Sequence, residues 1–379
     1  MRAHIRVICA PDSFKESMSA SAAARAMAAG VHRVCPDADC GLVPMADGGE
    51  GTTGCVVDAL GGRLVHMSAQ DALGRPRDVE IGYVPAERLA VVEMAQAAGL
   101  EHISPCERDV MGATSYGVGQ MIRRALDLGA TRIVLGLGGS ACNDGGAGML
   151  TALGGRLTGA DGRPLPPGGG PLAGLDGVDL SGLDPRLGDA QFELACDVDN
   201  PLLGPRGASA VFGPQKGATP DQAARLDDAL ARFADRLEAV AGRRVRDLPG
   251  TGAAGGLALP LLAVTRAAVR PGVEIIADAV GLATQVAPAD WVFTGEGSID
   301  GQTLRGKTPV GVLNVARAAG VPVVMFGGRI TDDARPLLGQ GVVALVPIVR
   351  RPCTLEDALR DGPANLADAA EVVTRLLTA

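Results

Sequence analysis

The chain has few aromatic residues, few histidines and few lysines, and these scarcities exclude several classes of function. It contains one Trp, two Tyr and six Phe in 379 residues, and its net charge is −8. A nucleic-acid-binding surface needs a basic stripe with aromatic platforms for stacking, so we expect no nucleic acid partner. The four histidines stand alone and the eight cysteines form no C-x-x-C pair, so we expect no zinc site.

Long apolar runs are also missing. No stretch approaches the roughly 20 consecutive apolar residues that a membrane-spanning helix needs. IRVICAP follows at residues 5–11, and we see no leader pattern of basic, apolar and small residues before it. We therefore expect a cytoplasmic protein with no membrane partner, whose cysteines are reduced. The sequence gives no oligomeric state.

Lysine is the most informative scarcity. Only three of the 35 basic residues are Lys, namely Lys15, Lys216 and Lys307. All three lie in segments rich in glycine, proline and acidic residues. Because a lysine supplies a compact point charge, these positions are candidates for binding an anionic substrate.

Apolar runs with strand character alternate with Ala-rich helical stretches at both ends of the chain. Residues 4–11 and 40–46 predict strands, and the same alternation returns from residue 290 onward. Between them, residues 74–95 predict two antiparallel strands, whereas the Gly/Pro-rich residues 159–177 predict no regular element.

This pattern predicts an α/β fold with two domains. A Rossmann-like parallel-sheet domain is expected from both chain ends, residues 1–68 and 265–379, with a mixed α/β domain inserted at 69–264. We expect the active site in the cleft between the two domains, where ligand sites often lie.

Five segments place charged residues among glycines directly after predicted strands, which is the edge where open α/β sheets bind ligands. They are APDSFKES (10–17), PMADGGEG (44–51), IVLGLGGSACNDGGAG (133–148), ACDVDNPLLGPRGASAVFGPQKGA (195–218) and FTGEGSIDGQTLRGKTPVG (293–311). Their cations and carboxylates suit phosphoryl transfer, which needs positioning and neutralised charge. The Asp-x-Asp-Asn run at 197–200 could hold Mg²⁺; a plain calcium loop is the alternative, but the further EF-hand positions are not matched.

Two short motifs suggest other nucleotide-binding folds. GQTLRGKT (301–308) matches the P-loop pattern, but the preceding strand is predicted to end at Gly295, six residues too early. GLGGSA (136–141) matches the dinucleotide fingerprint, but CNDGG interrupts the helix that should follow. We prefer a nest of backbone amides for phosphate oxygens in this second segment, and a nicotinamide-dependent oxidoreductase remains an alternative.

The segments PDSFKESMSA, ADGGEGT, GLGGSACNDGGAGML, ACDVDNPLLGPRGASAVFGPQKGA, GTGAAGGL and TGEGSIDGQTLRGKTPVGV together resemble the bacterial type I glycerate kinases, in order along nearly the whole chain. The resemblance implies a kinase that uses ATP and Mg²⁺ to phosphorylate D-glycerate, generally to 2-phosphoglycerate. Glycerate 3-kinase activity and a non-catalytic sugar-acid binding protein remain alternatives. The chain departs from the family at Cys142, often Thr, and at Ser298, commonly Arg.

We expect the following roles in that reaction. The catalytic residues are Lys15, Asp47 and Asp197. The substrate-binding residues are Asp12, Ser13, Glu50, Asn200 and Arg305. The residues that contact ATP phosphates are Gly138, Gly139, Ser140, Asn143, Asp144, Lys216 and Lys307. The metal ligands are Asp197, Glu296 and Asp300.

Overall fold

The computed structural model describes residues 5–379, apart from the side chain of Arg305. The strands, in chain order, are β1 (Arg6–Cys9), β2 (Asp39–Leu42), β3 (Arg63–Gln70), β4 (Pro76–Val84), β5 (Leu89–Glu93), β6 (Arg132–Gly136), β7 (Arg156–Gly159), β8 (Leu175–Asp179), β9 (Gln191–Ala195), β10 (Ala268–Arg270), β11 (Trp291–Ile299), β12 (Val323–Ile330) and β13 (Val342–Pro347).

The helices alternate with these strands over much of the chain. They are α1 (Ala20–His32), α2 (Thr52–Leu60), α3 (Met94–Ala98), α4 (Tyr116–Asp127), α5 (Ala147–Ala152), α6 (Ala208–Phe212), α7 (Pro220–Ala241), α8 (Ala258–Val264), α9 (Gly272–Ala279), α10 (Leu282–Val286), α11 (Thr308–Ala318), α12 (Leu355–Arg360) and α13 (Gly362–Thr378). In the described part of the chain, none of them is both long and apolar enough to cross a membrane.

The chain forms two compact units. The first comprises Met1–Asp47, Gly54–Gly61 and Val273–Ala379, and the second comprises Gly48–Thr53 and Gly62–Gly272. The second unit begins before the predicted residue 69 because β3 pairs with β4 along its whole length. It ends after the predicted residue 264 because β10 pairs with β9.

The first unit contains a wholly parallel sheet in the order β13-β12-β11-β1-β2. Its central strand β11 pairs with β1 in the register Val7↔Trp291, so residues from both chain ends meet side by side. Helices α1 and α13 cover the sheet and approach closely, since a Cβ on Gly30 would lie 2.2 Å from the Ala367 carbonyl oxygen. The predicted parallel-sheet domain built from both ends of the chain is confirmed.

The second unit contains a mixed six-stranded sheet in the order β10-β9-β6-β5-β4-β3. The strands β10, β9, β6 and β5 are parallel, and β4 runs antiparallel to both of its neighbours. The antiparallel pair predicted within residues 74–95 is thus confirmed. The connection at 159–177 is less irregular than predicted, because a 3₁₀ turn spans Gly170–Gly174 and β8 begins at Leu175.

Strand β11 is longer than predicted. It continues past Gly295 to Ile299 because these residues keep their parallel pairing with β12, including Ser298↔Arg329. Only residues 300–307 therefore separate this strand from α11, and the strand–loop–helix outline of a P-loop is present after all. The loop differs in its contents, because Thr303–Arg305 forms a 3₁₀ turn.

Candidate active site

A cavity of about 650 Å³ opens in the first unit where β1, β11 and β12 end. In the sheet, β2 lies on one side of β1 and β11 lies on the other, so the strand order reverses at this position. Open α/β sheets bind ligands at such a reversal, outside the carboxyl ends of the strands. Six of the residues predicted from the sequence line it: Asp12, Ser13, Lys15, Asp47, Glu296 and Lys307.

Asp12 follows β1 and is held in place by its neighbours. Its Oδ2 accepts a hydrogen bond of 2.5 Å from Thr308 Oγ1, and its Oδ1 accepts one of 2.6 Å from the Ser13 N–H. Burial raises the pKa of Asp12 to about 6, and the negative charge of Asp47 acts in the same direction. The carboxylate therefore lies in a position that favours a neighbouring cation.

Lys15 lies on a short loop fixed at both ends. Phe14 and Met18 are buried and pair with each other through two backbone hydrogen bonds of 2.9 Å. Lys15 is exposed between these anchors and lines the cavity. The apolar anchors thus present the lysine at the site although its own side chain is solvated.

Glu296 lies within β11 and is only 9% exposed. Its Oε1 accepts a hydrogen bond of 2.7 Å from Thr303 Oγ1, and Lys307 Nζ lies 3.7 Å from its Oε2. Burial raises the pKa of Glu296 to about 7, and the charges of Asp12 and Asp300 also raise it. The carboxylates of Asp12, Glu296 and Asp300 repel one another, so this cluster of three can accommodate additional positive charge.

Asp300 follows β11 directly and accepts hydrogen bonds from the Gln302 N–H at 2.8 Å and from Ser298 Oγ at 3.3 Å. Partial burial acts to raise its pKa, but the Gln302 hydrogen bond and the charge of Lys307 bring the pKa below its ordinary value. The backbone of Arg305 ends the 3₁₀ turn, while its side chain lies outside the described residues.

Apart from Asp300 and Arg305, the other predicted residues lie in the second unit, around the carboxyl ends of its parallel strands. A Cβ on Gly136 would lie 2.2 Å from the Gly48 carbonyl oxygen, and one on Gly48 would lie 2.6 Å from Ala195 Cβ. Gly48 and Gly136 are therefore required, because a side chain at either position would clash with its neighbour. Glu50 lies exposed on the loop that they position.

Glu93, the last residue of β5, was not among the predicted site residues. It is 4% exposed, and its Oε1 accepts a hydrogen bond of 2.7 Å from the Thr53 N–H at the start of α2. Burial raises its pKa above the ordinary range. It fixes the loop that carries Glu50. The sequence pattern that could have identified Glu93 is the one used for the other candidate residues, namely a carboxylate where an apolar strand ends.

The glycine-rich turn after β6 exposes backbone at Gly138 and Gly139. Gly139 has φ +74°, and its carbonyl oxygen accepts a hydrogen bond of 2.8 Å from the Leu100 N–H. Ser140 is only 7% exposed. The part of the turn available to a ligand is therefore mainly the backbone of the two glycines.

Lys216 supports this turn from inside. It is 1% exposed, and Nζ donates hydrogen bonds to Ser140 Oγ at 2.8 Å and to the Cys142 carbonyl oxygen at 2.6 Å. Burial lowers the pKa of its ammonium group to about 8. The observed contacts give Lys216 a positioning role, and the direct phosphate contact expected from the sequence stays a prediction.

Asp144 and Asn143 are fully buried. The Asp144 carboxylate accepts hydrogen bonds from the N–H and the hydroxyl of Ser115, at 2.8 and 2.9 Å, and from the Gly146 N–H at 3.0 Å. Asn143 Nδ2 donates to Ser209 Oγ at 2.9 Å. In this structure both side chains hydrogen-bond within the protein and shape the turn, and their expected contact with ATP phosphates stays a prediction.

Asp197 and Asn200 follow β9. Asp197 is exposed, and its Oδ1 accepts a hydrogen bond of 3.1 Å from the Gly272 N–H. Asn200 Nδ2 donates to the Arg206 carbonyl oxygen at 2.7 Å, and the Asn200 carbonyl oxygen accepts from the Gly252 N–H at 2.9 Å. Asn200 thus holds its loop together, whereas Asp197 presents a carboxylate at the strand end.

The predicted metal ligands are divided between the units: Asp197 lies in the second, and Glu296 and Asp300 lie in the first. Within the described ranges, no three His, Cys, Asp or Glu side chains form a group that could hold a metal ion by themselves. A metal here would need other oxygen ligands as well.

Comparisons with known proteins agree on one family. The model of the glycerate kinase family matches residues 7–378. The chain is 48% identical over 354 residues to the glycerate kinase of Bacillus subtilis strain 168, covering 93% of each chain. It is 41% identical over 373 residues to the glycerate 2-kinase of Escherichia coli strain K12, covering 98% of each. The crystal structure of a candidate glycerate kinase 2 from Salmonella typhimurium LT2 has 46% identity and a TM-score of 0.92, over 99% of this chain and 98% of that one.

Proposed function

The chain belongs to the glycerate kinase family, and from this premise we propose that it transfers the γ-phosphoryl group of ATP to the 2-hydroxyl of D-glycerate, giving 2-phosphoglycerate and ADP. The observation that carries the proposal is the cavity of the first unit, where Asp12, Glu296 and Lys307 meet at the ends of parallel strands. The 2-position is supported by the relative from Escherichia coli, which is named glycerate 2-kinase.

Charge arrangement is the main requirement of the reaction, because phosphoryl transfer depends on positioning and on neutralising the phosphate oxygens. Lys15 and Lys307 supply positive charge in the cavity of the first unit. We assign to Lys15 the glycerate carboxylate or the transferred phosphoryl group, and to Lys307 the phosphate oxygens. Arg305 is proposed to assist Lys15.

A carboxylate must orient the accepting hydroxyl and take its proton. Asp47 lines the cavity beside Asp12, and the negative charge of Asp47 raises the pKa of Asp12. We propose Asp47 for the proton and Asp12 for orienting the substrate, since Asp12 is already fixed by Thr308. Ser13 adds a hydroxyl at the same cavity.

Mg²⁺ fits the donors present. The carboxylates of Glu296 and Asp300 are hard oxygen ligands with neighbouring negative charge, and Mg²⁺ binds through one or two carboxylates together with water and phosphate oxygens. Such an ion neutralises charge on the phosphates when it is bound. We propose Asp197 as a further carboxylate, acting directly or through water.

In the second unit, the exposed backbone of Gly138 and Gly139 is proposed to contact phosphate oxygens, since successive amides form anion-binding nests. Ser140, Asn143, Asp144 and Lys216 then hold the turn in shape. We also propose that Glu50 and Asn200 bind glycerate and that the reaction takes place in the cytoplasm, where free cysteines are stable.

The test is a coupled assay with ATP, Mg²⁺ and D-glycerate, in which enolase reports 2-phosphoglycerate. Signal with enolase alone supports the proposal, whereas signal only after phosphoglycerate mutase is added shows phosphorylation at the 3-position. Glycerate binding with no ADP release would show a non-catalytic binding protein. A change in nicotinamide fluorescence on mixing would favour an oxidoreductase instead.

A further inference from the structure

The cavity of the first unit is much larger than glycerate requires. Its volume of about 650 Å³ lies in the range of about 300–1,000 Å³ that is typical of sites for drug-sized ligands and cofactors. A small hydroxy acid held at the charged residues leaves most of this space unfilled. The remaining part has room for a second chemical group.

The lining divides into two chemically different parts. The charged part contains the residues already described, at the ends of β1 and β11, together with Glu16 and with Arg329 of β12. The other part, the apolar wall, consists of Ile348 and Val349 beyond β13 and of Leu355, Ala358 and Leu359 from α12. Leu355 is 73% exposed. Leu355 therefore adds solvent-accessible apolar surface to the cavity lining.

The lining also contains Gly297 of β11 and Gly328 of β12, and β12 lies between β11 and β13 in the sheet. These glycines lie close together, because a Cβ on Gly328 would be 2.6 Å from the Gly297 carbonyl oxygen. Without side chains, this stretch lets a ligand approach the backbone closely. A single ligand can therefore extend from the charged part to the apolar wall.

We propose that the apolar wall binds the adenosine part of ATP, so that the nucleoside site is contained in the first unit. The proposal rests on the proposed function, which makes ATP the phosphoryl donor. An adenine ring is flat and weakly polar and suits an apolar wall, while its phosphates extend toward Lys307 and Lys15. The wall also lies at the carboxyl ends of β12 and β13, the edge at which open α/β sheets bind nucleotides.

A second cavity provides the alternative location. It has a volume of about 410 Å³, lies entirely in the second unit, and is lined by Tyr116, Thr151, Arg156 and several prolines. Arg156 is its only charged lining residue. The buried Asp144 adjoins it at Gly148, where a Cβ would lie 3.0 Å from Asp144 Oδ2, but that carboxylate already accepts several hydrogen bonds. This cavity therefore offers little to a phosphate chain.

The experiment measures binding of Mg·ATP by calorimetry, without turnover, in two pairs of variants of the full chain. Leu355→Ala is paired with Leu376→Ala, because Leu376 on α13 is 75% exposed and lines neither cavity. Ala358→Trp places a large side chain in the space beside the apolar wall. It is paired with Thr151→Trp, which places the same side chain in the cavity of the second unit. Glycerate binding by the same variants is measured alongside.

Leu355→Ala is expected to raise the Kd for Mg·ATP about fivefold, and Ala358→Trp at least tenfold, with both matched variants within twofold of the unmodified protein. The Kd for glycerate should stay within twofold in Leu355→Ala, which folds because the side chain is exposed. Equal affinity for Mg·ATP in Leu355→Ala and Leu376→Ala overturns the inference, and so does a loss caused by Thr151→Trp instead of Ala358→Trp.

Failure of the proposed function gives a different result. If the protein binds Mg·ATP through the wall but phosphorylates no glycerate, the glycerate kinase proposal fails and the nucleoside site stands. If it phosphorylates glycerate while the wall variants keep full affinity for Mg·ATP, the kinase proposal stands and the nucleoside site is overturned.

Discussion

Thr308 Oγ1 donates a hydrogen bond of 2.5 Å to Asp12 Oδ2 across 296 residues of sequence. The contact joins the loop after β1 to the first residue of α11, and Lys307 precedes that residue as the N-cap. One hydroxyl therefore sets the position of a carboxylate relative to a lysine in the same cavity. Loss of this hydrogen bond should lower the rate of phosphoryl transfer more than it lowers the free energy of unfolding.

Thr308→Val removes this donor but keeps the shape of the side chain. We expect kcat/KM for D-glycerate to fall about tenfold, equivalent to roughly 1.4 kcal/mol of transition-state stabilisation. Thr308→Ser keeps a hydroxyl and should stay within about threefold of the unmodified protein. Equal kcat/KM values for the Val and Ser variants would show that the contact with Asp12 does not matter to catalysis.

Lys15→Ala tests the cation on the loop between Phe14 and Met18. If its charge acts at the reacting centre, kcat/KM should fall by about 10²-fold or more, roughly 3 kcal/mol. Arg25→Ala is the matched control, since Arg25 is an exposed cation on α1 that does not line the cavity. Steady-state kinetics with both substrates varied would exclude Lys15 from the site if the two variants behaved alike.

Lys216 should make the free energy of unfolding increase with pH. Its pKa is about 8 in the native protein and 10.5 ordinarily, so between these values the unfolded chain binds a proton that the native chain lacks. The stability that Lys216 contributes should therefore rise with pH across this window, by up to about 3 kcal/mol. Urea unfolding at pH 7.5 and pH 10 measures it against Lys216→Met. Parallel changes in the two proteins would contradict the lowered pKa.

Gly255→Ala tests the support under the glycine-rich turn. Gly255 has φ +69°, and a Cβ there would lie 2.2 Å from the Cys142 carbonyl oxygen, which also accepts from Lys216. We expect a loss of about 2–4 kcal/mol in the free energy of unfolding. Gly188→Ala, where a Cβ meets nothing within 4 Å, should change it by less than about 0.5 kcal/mol. Urea unfolding measures both variants, and equal midpoints for Gly255→Ala and Gly188→Ala would contradict the prediction.

The sequence predicts elements best where local signals agree with tertiary packing. Helix α7 is an example, because Thr219 and Gln222 form a reciprocal capping box at its start and Gly242 ends it with φ +68°. The end of β11 could not be predicted in this way. Glu296 and Ser298 have the composition of a loop, but pairing with β12 keeps them in the strand, and that pairing depends on residues about 30 positions later.

The same limit applies to side chains in the candidate site. The sequence places Asp144 among glycines after a strand, as it does Asp47. It does not show that Ser115, 29 residues earlier, provides the hydrogen bonds that turn Asp144 inward. The identity of chemically active residues can therefore be predicted from local patterns, but the direction in which each one faces depends on distant parts of the chain.

The pairing of β1 with β11 has a consequence for synthesis on the ribosome. Ile8 lies beside Val292, so β1 gains β11 as its neighbour on that side only after most of the protein has been made. The second unit is almost contiguous in sequence, from Gly62 to Gly272, and can complete its sheet earlier. We therefore expect the amino-terminal segment to emerge first and to reach its final structure late, with β1 dependent on chaperones until the carboxyl-terminal strands arrive.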